Sequence, residues 1–414
     1  MIFKFLPDGG FFVSRRIGKC EVVPPSLCRG PCRILDFYMA KVLQGPYLLI
    51  HMRKEAVRLN LDGVTSELPY RDYYRSRNGL VAKYLARYLD LPYFDETGRG
   101  VNEYVVPPVA ITKKDAEKLG IRAEADFYGG AVDRLGHVSK AILHPCISLY
   151  KPPFHSDWFA RSIVDLVVPG VTTFLKHALL DNYEELVRQF PVMRLKLSNK
   201  SDGHGQYLVS SRGQLIQVLE TIADEEVRRD GLIVEDNLER NRTISVGRVV
   251  VGSDIFYTLA RQKNDLAPED NRNRYLGAEV FIVRDNIGEL LRASLSSTEQ
   301  TALSVASKFL ERYSYFDPVC SRISFDYLVG YHTYGERVAG ITDITARLGG
   351  TCPALCLAVL EFKSNPGLSL VRAEVNLNYD PSDEKAEEEG AVRFIDLPSL
   401  RLTARVNSVK QCEK

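Results

Sequence analysis

The apolar positions of this chain change rhythm near residue 191. Before it, Leu80, Val81, Tyr84, Leu85, Tyr88 and Leu89 recur at helical spacing and stop at Leu91-Pro92. A short strand is predicted over Glu103–Val106, then a helix over Lys113–Leu119 stopped by Gly120. Gly129-Gly130 predicts a turn and Val138–Leu143 a short apolar run carrying Lys140. Asp157–Val168 reads as a helix ending before Pro169-Gly170, and Thr172–Phe190 as one or two more. In residues 1–70 only a helix near Ile34–Leu43 and an apolar run at Tyr47–His51 stand out.

After residue 191 strand patterns dominate. Strands are predicted at Val192–Leu197, Gln206–Val209, Leu232–Glu235, Thr243–Val251, Ile255–Ala260, Ala278–Val283 and Val371–Leu377. Long helices are expected over Gly213–Arg229 and Thr298–Arg312. Two further strand-like runs hold Asp326 and Asp343, and the acidic stretch Asp380–Gly390 reads as a solvated loop. Strands that follow one another, with helices laid across them, predict an α+β fold. The expected division is an N-terminal α/β domain (1–130), a small lobe with connecting helices (131–240) and a C-terminal lobe with the metal chemistry (241–414).

Composition narrows the functions. With 54 basic and 53 acidic residues the formal net charge is +1, which offers no long-range attraction for nucleic acid. No apolar stretch reaches the roughly 20 residues of a membrane span, and the polar Asp8-Gly9-Gly10 interrupts the N-terminal apolar run. A cytoplasmic protein without membrane contact is the expectation. Eight cysteines in 414 residues are too few for a disulfide scaffold. Cys20, Cys28 and Cys32 lack the CxxC pairs of a zinc site, and Cys352 and Cys356 read as buried thiols one helical turn apart.

The residues that suggest chemistry are few. Lys196 ends an otherwise apolar strand and is followed by Ser201-Asp202-Gly203-His204-Gly205-Gln206. A lysine beside a glycine loop suits phosphate, because backbone N–H groups and one ammonium can surround its oxygens. The bland alternative is a lysine snorkelling to solvent. Asp326 and Asp343 on neighbouring strands suit magnesium, or else pair with Arg322, Arg337 or Arg347. His204 suits phosphate contact or simple exposure, and Arg261 with Lys263 suits an anion or a solvated strand end. His144 and Trp158 read as structural.

This order of motifs resembles the ATP-grasp superfamily, whose members hold ATP between two α+β lobes. The resemblance places Lys140 and Lys196 as the nucleotide lysines and Ser201, Gly203, His204 and Gly205 in the phosphate-covering loop. It places Glu235, Asn237 and Leu238 at the adenine hinge. Asp326, Asp343 and Thr345 take the positions of the magnesium ligands, and Arg347 that of the phosphate-contacting arginine, with Arg261 a further catalytic candidate. Three departures stand out. Thr345 replaces an Asn, Arg242 and Thr243 stand where a ribose-binding acid is expected, and Asp236 stands where a basic or apolar residue is frequent. A second likeness, from about residue 75 to 378, is to a bacterial ATP-grasp-like family of unknown function. Together these imply an ADP-forming ligase with ATP and Mg2+ as cofactors. It would activate a small-molecule or peptide carboxylate as an acyl-phosphate for an amine or similar nucleophile. The alternatives are a nucleotide-binding protein without ligase activity and a kinase using the same site. The resemblance suggests a homodimer.

Overall fold

A computed structural model describes residues 2–5, 11–14, 54–61, 68–95, 102–200, 203–266, 273–293, 295–379, 390–397 and 400–411. By contact the chain divides after Leu49 into two units, and the boundaries expected at 130 and 240 both fall inside the second. The described part of the first unit is one antiparallel hairpin, β1 (Ile2–Phe5) with β2 (Phe11–Ser14). The helix expected near Ile34–Leu43, the run Tyr47–His51 and Cys20, Cys28 and Cys32 lie outside the described residues.

The second unit opens with a parallel sheet of β3 (Ala56–Leu59), β4 (Tyr93–Phe94) and β5 (Glu103–Val106), in the order β4-β3-β5. Parallel neighbours need a crossover, which the helix Leu68–Leu89 supplies. Its Val81, Ala82, Leu85 and Ala86 are buried, so the spacing seen in the sequence is the face that meets the core. Next come β6 (Ile111–Thr112) and β7 (Gly130–Val132), which are parallel, with β15 (Val319–Cys320) added antiparallel to β7.

The small lobe is an antiparallel sheet of β8 (Gly170–Thr173), β9 (Met193–Leu197), β10 (Gln206–Val209) and β11 (Leu232–Asp236), in the order β10-β9-β11-β8. Leu195, Leu197, Leu232 and Val234 bury one face against Leu186, Leu215, Leu219 and Val227 of the covering helices. The large lobe is an eight-stranded antiparallel sheet. Its strands are β12 (Glu239–Val251), β13 (Asp254–Leu266), β14 (Asn273–Arg284), β16 (Arg322–Tyr331), β17 (Arg337–Thr345), β18 (Leu368–Asn378), β19 (Val392–Leu397) and β20 (Leu400–Gln411). They run in the order β17-β16-β12-β13-β14-β18-β20-β19.

The helix Ser297–Tyr313 covers one face of this sheet, with the Phe309 and Phe325 rings 4.9 Å apart. The helix Cys352–Ser364 covers the other. Its Ala354, Leu355, Ala358, Val359 and Phe362 share a core with Leu85 of the first helix and with Val280 and Val371 of the sheet. Complete burial of each large side chain stabilises by about 1.5–3 kcal/mol, so this shared core binds residues 56–106 to the large lobe. Among the described residues no helix is long and apolar enough to cross a membrane.

The α+β class is as expected, and three local expectations are corrected. Thr172 lies in a strand, since Val171, Thr172 and Thr173 are β-branched and pair with β11. The helix starting at Asp157 ends at Ser162 rather than Val168. The expected helix Gly213–Arg229 is two, Arg212–Thr221 and Asp224–Asp230. Extended Ile222 separates them, and three acids in the first turn of the second favour a new helix N-terminus.

The backbone links the lobes. The chain crosses through Asn237 and Leu238 between β11 and β12, and Ile341 of edge strand β17 forms a parallel bridge to Val167. There the Ile341 N–H donates to the Leu166 carbonyl (2.9 Å) and the Val168 N–H to the Ile341 carbonyl (3.1 Å).

Candidate active site

Strand alternation decides which side chains enter the seam between the lobes. Met193, Leu195 and Leu197 of β9 are buried among the helices, so Arg194 and Lys196 turn to the opposite face. By the same rule Leu232 and Val234 of β11 face the helices, and Ile233 and Glu235 the seam. The Lys196 ammonium donates to the Glu235 carboxylate and to the Thr342 hydroxyl. That hydroxyl in turn donates to Glu235 at 2.7 Å. Behind Glu235 lies His144, its Nε2 3.0 Å from the carboxylate. Gly170 makes this approach possible, since a Cβ there would stand 3.0 Å from both Glu235 Cγ and His144 Cε1.

Burial opposes both charges of the Lys196–Glu235 pair. On Glu235 it is outweighed by Lys196 and His144, which hold the carboxyl down at about 2. On Lys196 it outweighs the one carboxylate and leaves the ammonium below its ordinary value. We take the pair as ionised, because Glu235 has three donors around it and Lys196 keeps a carboxylate in direct contact.

The acids come from the large sheet. Asp326 of β16 and Asp343 of β17 stand directly opposite each other. Immediately beyond them Tyr327 faces Ile341, so Thr342 is an extra residue on β17, a β-bulge. The bulge lets adjacent residues both serve the seam, Thr342 on Lys196 and Asp343 on Lys140. Lys140 Nζ lies 3.3 Å from the Asp343 carboxylate and donates to the Lys200 carbonyl at 2.7 Å. Asp326 accepts from the Ser245 hydroxyl, which itself accepts from the Gln262 amide at 2.7 Å. Burial, and then the neighbouring Asp343 charge, push the Asp326 carboxyl above its ordinary value.

Two carboxylates side by side beside a lysine are residues that could hold a cation. Thr345 follows Asp343 by two residues and lies opposite Ser324, so its half-buried side chain is on the same face. Among the described residues no three His, Cys, Asp or Glu side chains gather as a metal-holding group. The available set is therefore two carboxylates and a hydroxyl, all hard oxygen donors of the kind magnesium accepts. Arg347 continues the alternation and is half-buried, its guanidinium reaching the Leu348 carbonyl at 3.3 Å.

The other expected residues are distributed unevenly. Gly203 and Gly205 take left-handed φ angles of 79° and 64° in the β9–β10 turn, with His204 exposed between them. Ser201 lies outside the described residues. Asn237 in the crossing accepts from Arg194 at 2.7 Å through its side chain, and Leu238 is buried. Arg261 is not brought to the seam. It lies opposite Ile244, and its guanidinium is taken by Glu279 (2.9 Å) and Glu299 on the face covered by Ser297–Tyr313. Neighbouring Gln262 is the residue on the Asp326 side, because successive strand residues face opposite ways. Sequence reading missed His144, Thr342, Ser245, Gln262 and Arg194. The two long antiparallel partners of β12 held a signal for Ser245 and Gln262, but the bulge at Thr342 left none.

A model of proteins of unknown function, DUF3182, matches residues 70–396. The chain belongs to the DUF3182 family. No curated protein matches it. Among solved structures this DUF3182 protein is similar to D-alanyl-alanine synthetase A from Vibrio cholerae, at 11% identity over 75% of this chain and 94% of that one, with a TM-score of 0.45. It is similar to N5-carboxyaminoimidazole synthetase from Staphylococcus aureus complexed with ADP, at 9% identity over 86% and 94%, TM-score 0.49. A third is phosphoribosylamine–glycine ligase from Thermotoga maritima, at 12% identity over 86% and 92%, TM-score 0.47. In the DUF3182 protein itself, Lys196 pairs with Glu235 and Lys140 with Asp343 beside edge strand β17.

Proposed function

We propose that this protein is an ATP-grasp enzyme, an ADP-forming ligase that joins a small-molecule or peptide carboxylate to an amine or similar nucleophile through an acyl-phosphate. The observation that carries this reading is the double contact of β17, Thr342 with Lys196 and Asp343 with Lys140. It sets two lysines and two acids in one seam between lobes.

In this reading Lys140, Lys196 and Arg347 neutralise phosphate oxygens, and the turn holding Ser201, Gly203, His204 and Gly205 lies over them. Glu235, Asn237 and Leu238 line the adenine end. Asp326, Asp343 and Thr345 hold the magnesium. When bound, ATP supplies the phosphoryl group and magnesium offsets its negative charge. No side chain need act as a nucleophile, because the substrate carboxylate takes that part. Arg261 has no role here, being tied to Glu279 and Glu299 on the far face.

The test is ADP and phosphate release with ATP, magnesium and panels of carboxylates and amines. Lys196→Ala and Asp343→Ala each lower turnover at least about 100-fold, the scale of losing one electrostatic contact to a reacting group, while the fold persists. Unchanged ATP consumption in both variants would sink the assignment. Thr345 in place of Asn favours a second reading, nucleotide binding without ligation. It is marked by ATP binding and no ADP release with any pair. A stable phosphorylated product without free phosphate would instead mark a kinase.

A further inference from the structure

The Lys196–Thr342 contact crosses from one lobe to the other. Lys196 and Glu235 belong to the small sheet, and Thr342 to the edge strand of the large one. All three are buried, at 5%, 1% and 8% exposure, so water does not substitute for the contacts they make. The hydroxyl is used twice, accepting from Lys196 and donating to Glu235. An ammonium has three N–H groups and no acceptor. One is committed to Glu235 and one to Thr342, so the third is left with a fixed direction. A lysine stem of four carbons otherwise loses much rotational freedom when its head group is fixed.

We propose that Thr342 is a positioning residue. Its bulge-delivered hydroxyl fixes the third Lys196 N–H for a phosphate oxygen and ties that lysine to the large lobe beside Asp343. The proposal rests on the nucleotide reading above. Thr342 touches no nucleotide in it, and acts only through Lys196. Valine matches threonine in shape but cannot accept from Lys196 or donate to Glu235. Serine keeps both functions.

The test measures binding of magnesium with a non-hydrolysable ATP analogue by calorimetry on the full chain. Thr342→Val weakens it about tenfold, the size expected of a hydrogen bond to a charged group, while Thr342→Ser stays within about threefold of wild type. In a Lys196→Ala background Thr342→Val has no further effect. Wild-type affinity in Thr342→Val overturns the proposal, as does an equal loss with and without Lys196. Melting of each variant without ligand excludes a folding defect. If the wild type binds no nucleotide, the functional reading fails separately. Urea unfolding of wild type, Thr342→Val, Lys196→Ala and the double variant then decides the contact, with non-additive shifts supporting it and additive ones overturning it.

Discussion

Glu235 keeps its charge at about 1% exposure because its donors are built into three different segments: β9, β17 and the turn holding His144. The consequence is a pH dependence with a definite sign. Its carboxyl titrates near 4.5 when unfolded and is held at about 2 when folded. A depressed folded value means that the folded state resists protonation. The stability it contributes is therefore present above about pH 4.5 and is lost as pH falls through about 2. Glu235→Gln lowers stability at pH 7 and shows a shallower fall than wild type from pH 4.5 to 2, read as the urea midpoint at several pH values. Parallel slopes for both proteins would contradict this account. Lys196 was legible in the sequence because a charge within an apolar strand needs a reason, whereas Glu235 was singled out only through the family resemblance. His144 and Thr342 were not, since a histidine before proline and a threonine in a strand are ordinary.

Strand β17 joins the sheets through a glycine. A Cβ on Gly340 would stand 2.2 Å from the Val167 carbonyl carbon and 2.3 Å from the Val168 nitrogen, both backbone atoms that cannot step aside. Gly340→Ala therefore forces β17 away from residues 166–168 and costs about 1–3 kcal/mol, as overpacking does. The expected result is a melting temperature lower by several degrees, against a small rise for Gly213→Ala, where nothing lies within 4 Å of the added methyl. Equal effects at the two sites would show that the junction is not tight. Some short elements were legible to the residue: Glu103–Val106 and Gln206–Val209 have the limits expected from the sequence. Reading failed where tertiary pairing overrides local pattern. The short β-branched run of Gly170–Thr173 became a strand through its pairing with β11, and the bulge at Thr342 in the β16–β17 pair has no local signature. Arg261 was misplaced for a related reason. Its strand runs on to Leu266, so the residue lies mid-strand and alternation sends it to the far face.

At the scale of the whole molecule, the proposed nucleotide site predicts that ligand binding and stability are coupled. A ligand held by Lys140, Lys196, Asp326 and Asp343 touches both sheets at once, so it resists any opening that separates them. A ligand at about 100 times its dissociation constant adds about 2.7 kcal/mol, which raises the melting temperature by a few degrees in a chain of this size. The opposed pair Asp326 and Asp343 adds a condition. Without a cation, phosphate charge meets carboxylate charge, with Lys140 the ammonium closest to Asp343 among the described residues. ATP with magnesium should therefore stabilise more than ATP with EDTA or ADP with magnesium, and Lys196→Ala should abolish the difference. Equal shifts with magnesium and with EDTA would mean that the two acids serve the fold rather than a cation. The ATP-grasp reading would then lose its metal half while the lysine half stayed open to the same titration.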